Sequence, residues 1–378
     1  MAFATTREPL ARIAMLSTYP PTQCGLATFT AALLKHLGQT DVVRVVDEGT
    51  SHPGAEVVAH LVNGSDGSAL EAVHRLNRYD VVIVQHEYGI FGGPDGLDVV
   101  ELVEALRVPT IIVFHTVLQD PTAGQRRILE RLLAAADVAV TMTATARKRL
   151  IDSYGADPAV VRTIPHGAVD HGLRQVPPAE DARPLVLTWG LLGPGKGIEW
   201  AIDALPGLRD LNPRYLVLGK THPRVFEREG EAYRDSLVRR ARELGVEDLL
   251  ELDDSYLPVP ELADVVGGAD VVLLPYDSRD QVTSGVLIEA VAAGRPVVST
   301  GFPHAVELLT LGSGLVVPQR DPGALQVALR RVLSEPGLAN AMAAQAARQA
   351  PELFWSAVAA GYRVIAESLS AEALTAVS

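Results

Sequence analysis

Short runs of β-branched and apolar residues alternate with longer stretches of helical periodicity along this chain, and the alternation runs through twice. Parallel strands cannot be joined by tight turns, so a strand–helix–strand rhythm of this kind is the pattern of a doubly wound parallel sheet. In the first half the spacing predicts strands at 12–16, 42–46, 81–85, 110–114, 138–141 and 161–164, with helices over stretches such as 27–37 and 124–135. In the second half it predicts strands at 185–188, 215–218, 249–252, 271–274, 297–299 and 314–317, and helices at 198–205, 230–244, 286–293 and 322–333. Between the halves, Gln175 to Pro184 is rich in Pro and charge without apolar period, and reads as a linker. The expectation is an α/β chain of two Rossmann-like domains, 1–174 and 185–355, facing each other across a cleft. An amphipathic helix over 354–378 can pack on either. In open sheets of this class ligands bind beyond the carboxyl ends of the strands, which is where candidate residues are sought.

Composition narrows the function classes. The chain's 378 residues suffice for two cores, and its formal net charge of -13 repels nucleic acid and anionic lipid at long range. A phosphate site must therefore be local, made from backbone N–H groups and a few placed cations. The single cysteine, Cys24, excludes an intrachain disulfide and Cys-rich metal motifs, and is read as incidental. Residues Met1 to Arg12 mix charge and Pro without an apolar run, so no leader is expected. No run approaches the ~18 apolar residues of a membrane span. The expected location is cytoplasmic, with at most peripheral membrane association and no nucleic-acid partner.

The most informative stretch runs from Ala269 to Ser299. A buried strand ends at Pro275, a polar loop follows, and a Thr283-Ser284-Gly285 turn opens a helix that stops at Gly294. A Ser-Gly turn at a helix start offers free N–H groups and the positive end of the dipole, which suits a phosphate. Glu289, about one turn in, is placed to accept two hydrogen bonds from a ribose diol. Read alone, the same stretch also describes an ordinary capped helix with a surface glutamate. A second candidate is the loop Gly190-Leu-Leu-Gly-Pro-Gly-Lys196-Gly197, whose flexible backbone and one lysine can cradle phosphate. It nearly spells a P-loop, but Gly197 stands where a hydroxyl for Mg²⁺ is required. His86 and Glu87 follow one strand and His115 another. No second histidine at helical spacing makes them a metal motif, and His86 also reads as a hydrogen-bonded loop residue. Lys220, His222 and Arg279 follow strand ends, as phosphate-facing cations or as solvated loop residues.

These residues together resemble the retaining GT-B glycosyltransferases of family 4. That family carries two glutamates separated by seven residues around a Ser-Phe-Gly or similar turn, then a helix ending Glu-Ala-x-Ala-x-Gly-x-Pro-Val. Glu289 matches the second glutamate, which the resemblance assigns to the nucleotide ribose, whereas Gln281 holds the place of the first. Tyr19 to Gly25 resembles the first Gly-containing loop facing the donor phosphates. His115 resembles the strand-end histidine near the donor sugar, and Ile164-Pro-His166-Gly resembles an Ile-Pro-Asn-Gly turn. Gly190 to Gly197 resembles a Gly-Arg-Leu-x-x-x-Lys-Gly loop, with Leu191 in place of the arginine. Gln85 to Gly93 and Gly193 to Glu199 resemble the mannosyltransferase-like branch.

The resemblance implies transfer of a hexose, mannose favoured, from a nucleotide-diphosphate sugar such as GDP-mannose to a sugar, lipid-linked or small-molecule acceptor. The residues and the resemblance together give His115, Lys196 and Gln281 as the expected catalytic set, and Gly25, His86, His166, Lys220, Arg279, Thr283, Ser284, Gly285 and Glu289 as expected substrate-binding residues. No Asp-x-Asp motif is present, so neither cofactor nor metal is expected. A degenerate chain that binds nucleotide sugar without transferring it is the alternative that Leu191 and Gln281 raise. A phosphorylase-like or epimerase-like GT-B enzyme is a third reading, for which no pyridoxal-bearing lysine is found.

Overall fold

The computed structural model describes residues 10–49, 55–170, 172 and 183–377. The chain divides into two compact units, Met1–Pro165 with Trp355–Ser378, and His166–Phe354. The first unit is built on seven strands: β1 (Ile13–Ser17), β2 (Thr40–Val46), β3 (Val57–Val62), β4 (Val81–His86), β5 (Thr110–Phe114), β6 (Val138–Thr141) and β7 (Val161–Thr163). They form one parallel sheet in the order β3-β2-β1-β4-β5-β6-β7. The second unit is built on β8 (Leu185–Trp189), β9 (Arg214–Leu218), β10 (Leu250–Asp253), β11 (Val271–Leu274), β12 (Val297–Thr300) and β13 (Gly314–Val317). Its parallel order is β10-β9-β8-β11-β12-β13.

Central strands are buried on both faces, which is why they read as unbroken apolar runs rather than as alternation. Register follows from this: Ile13 lies between Thr40 and Val81, and Val186 between Tyr215 and Val271. One polar clasp crosses the second core. Thr188 Oγ1 donates to the Leu273 carbonyl at 2.5 Å and meets the hydroxyl of fully buried Tyr215 at 3.0 Å, so neither hydroxyl is left unsatisfied.

Differences from the sequence reading lie where burial weakens. Strand β3 was not predicted. It pairs only with β2, is half-buried over most of its length, and its apolar run is broken by His60. The helix expected from Gly230 begins at Ala232, after a separate short helix Pro223–Glu229 that closes at Gly230. Helices Val259–Gly267, Pro303–Leu309 and Leu338–Leu353 were also missed. The expected linker at 175–184 lies outside the described residues apart from Arg183 and Pro184. The first unit closes at Pro165 rather than at 174. Ile164 packs against Gly361, while the Ala168 amide donates to the Leu353 carbonyl of the second unit at 2.7 Å. Among the described residues no helix is long and apolar enough to cross a membrane.

The terminal helix Trp355–Val377 packs on the first unit. Trp355, Val358, Ala359, Tyr362 and Ala366 are buried at the spacing of one helical stripe. Arg363 Nη1 donates to the Ala11 carbonyl at 3.0 Å, fastening the far side. Trp355 meets Phe29 of the helix Gly25–Leu37 edge to face at 5.0 Å, and Phe29 in turn meets His115 at 4.9 Å. The helix therefore backs a candidate residue distant in sequence. Trp355→Ala removes a buried indole and should cost about 3–5 kcal/mol, read from the urea midpoint. A loss below ~1 kcal/mol would show that the helix is not integral to the unit.

Candidate functional site

Three loops meet at the carboxyl edge of the second sheet. After β8, the Gly190 amide donates to the Leu218 carbonyl at 3.0 Å and the Leu192 amide to the Lys220 carbonyl at 2.8 Å. The His222 amide returns to the Leu192 carbonyl at 2.8 Å, and the Asp277 amide, beyond β11, donates to Gly195 at 2.9 Å. The approach is closer than side chains allow. A Cβ on Gly197 would stand 1.9 Å from the Pro275 carbonyl oxygen, and one on Gly219 would stand 2.0 Å from the Gly190 carbonyl oxygen, with both residues at positive φ.

This packing sets the lysine. Lys196 Nζ lies 4.2 Å from the centroid of the Tyr276 ring, a cation–π contact, and Tyr276 stacks on Phe302 at 5.2 Å. Lys220 and Arg279 are exposed, and Arg279 has no ion-pair partner among the described residues. The segment carrying Arg279 is held from β13: Arg320 pairs with Asp277 at 2.7 Å, and Gln319 Nε2 donates to the Ser278 carbonyl at 2.6 Å. His222 caps the helix Pro223–Glu229 by accepting the Arg224 amide. Burial, with Arg224 and Lys196 nearby, lowers its pKa.

Beyond that segment, Thr283-Ser284-Gly285 opens the helix Gly285–Ala292. Ser284 Oγ accepts the Leu287 amide at 3.3 Å, an N-cap worth about 1 kcal/mol. The Ser284 amide donates to His304 Nδ1 at 2.8 Å. The amides of Gly285 and Val286 have no partner among the described residues, so two donors stand at the positive end of the helix. The Thr283 hydroxyl is buried and has no partner among the described residues. Gln281 is half-buried, and its carbonyl accepts the His304 amide at 3.4 Å. His166 donates through Nδ1 to the Gly167 carbonyl at 2.7 Å, and its ring lies over Gly285. Burial lowers its pKa to about 4.

Glu289 is half-buried, with its carboxyl group enclosed and hydrogen-bonded to the Trp189 side chain. Desolvation raises its pKa to about 7, against which the Trp189 bond acts. The ordinary surface glutamate of the plainest sequence reading does not describe this environment.

In the first unit, His115 follows β5. Its Nε2 donates to Gln85 Oε1 at 2.7 Å, and the Gln85 amide nitrogen faces Met15 Sδ at 3.6 Å, so a fully buried glutamine sets the tautomer. Gln85 was quoted in the sequence without a role; its partner is visible only in the fold. The expectation for His86 fails. As the last residue of β4 it is fully buried between Tyr88 and Phe114, neither ring nitrogen has a partner among the described residues, and burial lowers its pKa to about 3. It is enclosed within the first unit and is not a hydrogen-bonded loop histidine, because the strand runs one residue further than predicted. Gly25 begins its helix exposed, and Cys24 has a structural place there: its Sγ accepts the Ala27 amide at 3.4 Å as the N-cap. Among the described residues, no group of three or more His, Cys, Asp or Glu side chains is placed to hold a metal ion.

Two family models match the chain, one described as Glycosyltransferase Family 4 over residues 25–170 and one as Glycosyl transferases group 1 over residues 183–335. The D-inositol 3-phosphate glycosyltransferase of Kineococcus radiotolerans is 30% identical over 327 residues, spanning 76% of this chain and 71% of that protein. The structure of Anabaena Alr3699/HepE in complex with UDP matches with a TM-score of 0.75 at 17% identity, covering 95% of this chain and 100% of that one. The same protein in complex with UDP-glucose matches with a TM-score of 0.72 at 17% identity, covering 96% and 99%. At that identity the likeness establishes the fold.

The Glu289 environment generates a stability prediction. Between the ordinary carboxyl value of 4.5 and about 7, the folded chain keeps a proton that the unfolded chain releases, so this group's contribution falls as pH rises through that window. Glu289→Gln removes the titration. Its melting temperature should gain on the parent's between about pH 5 and about pH 8. A difference that stays constant across that range would place the carboxyl in solvent.

Proposed function

This chain is a GT-B enzyme belonging to glycosyltransferase family 4, and from that premise we propose that it transfers a hexose, mannose favoured, from a nucleotide-diphosphate sugar to a sugar, lipid-linked or small-molecule acceptor. The observation that carries this reading is the edge of the second sheet. A lysine loop locked by glycines adjoins a helix start with two unengaged amides and an enclosed glutamate one turn in. The relatives' name and the UDP and UDP-glucose of the solved neighbours support a nucleotide-sugar donor.

In this reading the Gly285 and Val286 amides, Lys196 and Arg279 take up the charge that develops on the leaving diphosphate, without a metal. Lys220 borders the same loops and adds charge at longer range. Glu289 accepts from the ribose diol, which favours its ionised form. Gln281 is a neutral amide and serves neither as base nor as nucleophile, so it hydrogen-bonds donor hydroxyls. That leaves a front-face route with retention, in which the leaving phosphate oxygen takes the acceptor proton as the new glycosidic bond forms. His115 orients the donor sugar, its ring held by Gln85 and Phe29.

The site's departure from two glutamates also supports a second reading, a chain that binds donor without transferring. Hydrolysis or transfer measured across GDP- and UDP-sugars separates the two, and turnover of any donor removes the second. His115→Ala should lower the turnover of that donor by about 10²-fold, the scale of lost positioning; full activity would remove His115 from the mechanism. Gln281→Glu should bring no large gain. An increase of ~10²-fold, the scale of a general base, would show that the position works best as a carboxylate.

A further inference from the structure

The strand that supports this edge from one side is β12, and its last residue and those after it touch the site at several heights. Thr300 Oγ1 donates to the Tyr276 carbonyl at 2.5 Å. Phe302, fully buried, stacks on the Tyr276 ring beneath Lys196. His304, in the first turn of the helix Pro303–Leu309, then meets both ends of the turn. Its amide donates to the Gln281 carbonyl, and its Nδ1 accepts the Ser284 amide.

We infer that His304 is a positioning residue for the proposed transfer: its Nδ1 and its amide hold Gln281 and the Ser284 turn as one rigid piece, so that the free Gly285 and Val286 amides and the Gln281 side chain keep a fixed spacing. The inference rests on nucleotide-sugar transfer at this turn. A backbone amide can only donate, so Nδ1 must carry a lone pair and the proton must sit on Nε2. The ring is 3% exposed, and protonation would place an N–H against an N–H. Burial, aided by nearby His166, lowers the His304 pKa to about 3. The acceptor therefore persists at every pH near neutrality, which distinguishes a fixed brace from a pH switch. Without it the Ser284 amide is buried with no acceptor, and the turn must shift to hydrate it.

Side-chain geometry supplies a discriminating test. Asparagine carries an acceptor at the same δ position as Nδ1; glutamine carries it one atom further out; leucine has none. Three readouts are compared in the full chain: kcat/KM with the nucleotide sugar that the parent turns over, the Kd for GDP and for UDP by calorimetry, and hydrogen exchange of the Ser284 amide. His304→Asn should keep kcat/KM within about fivefold of the parent and keep the amide protected. His304→Leu and His304→Gln should lose about 10²-fold in kcat/KM, weaken diphosphate binding and expose the amide. A role in core packing alone predicts the opposite ranking, with leucine tolerated best. Leucine activity within about threefold of the parent would overturn the inference while leaving the transfer reading intact. So would asparagine and leucine variants falling equally, in step with their melting temperatures. A parent chain that turns over no donor would overturn both.

Discussion

Backbone-to-backbone contact at the carboxyl edge of the second sheet is the constraint on which the candidate site depends. Gly197 against Pro275 and Gly219 against Gly190 leave no room for a side chain, and this lets the loops after β8, β9 and β11 hydrogen-bond to one another as if they were one loop. Lys196 is carried to the Tyr276 ring by this packing, where its ammonium makes the cation–π contact. From Tyr276 the order passes outward. Thr300 and Phe302 hold it from β12, Arg320 and Gln319 hold the next residues from beyond β13, and His304 holds the turn.

The electrostatics follow the same logic. Three imidazoles, His86, His166 and His304, are held neutral by burial, and Glu289 is pushed toward neutrality by the same cause. Around the Gly285–Ala292 helix start this leaves the charge balance to Lys196, to Arg279 and to the helix dipole. A carboxylate at position 281 would add negative charge beside this helix start, and the glutamine found there avoids it.

In the first unit, order reaches His115 from two directions. Gln85 is presented by β4, so its amide is fixed by the sheet. Phe29 is fixed by Trp355, the first residue of a helix at the other end of the chain. The terminal helix thus reaches His115 through the Phe29 ring. Cys24, capping the helix that carries Phe29, is part of the same support.

The strand–helix rhythm, both sheets, the Ser284 cap and the positions of Lys196, Gln281 and Glu289 were legible in the sequence, because each is a local pattern. Period, turn chemistry and glycine placement act over a few residues. Other features required the fold. Strand β3 pairs at an edge where burial writes no strong pattern, and the short helix Pro303–Leu309 leaves too few turns for periodicity to register. The Gln85–His115 and His304–Ser284 contacts join residues brought together only when parallel strands align their ends. His86 shows the reverse: a polar residue at a strand end reads as available, and one further residue of strand buries it. Sequence alone determined which chemical groups lie near the strand ends. Tertiary packing decided which of them are held, which are enclosed and in what protonation state, because burial and hydrogen-bond partners are properties of neighbours in space.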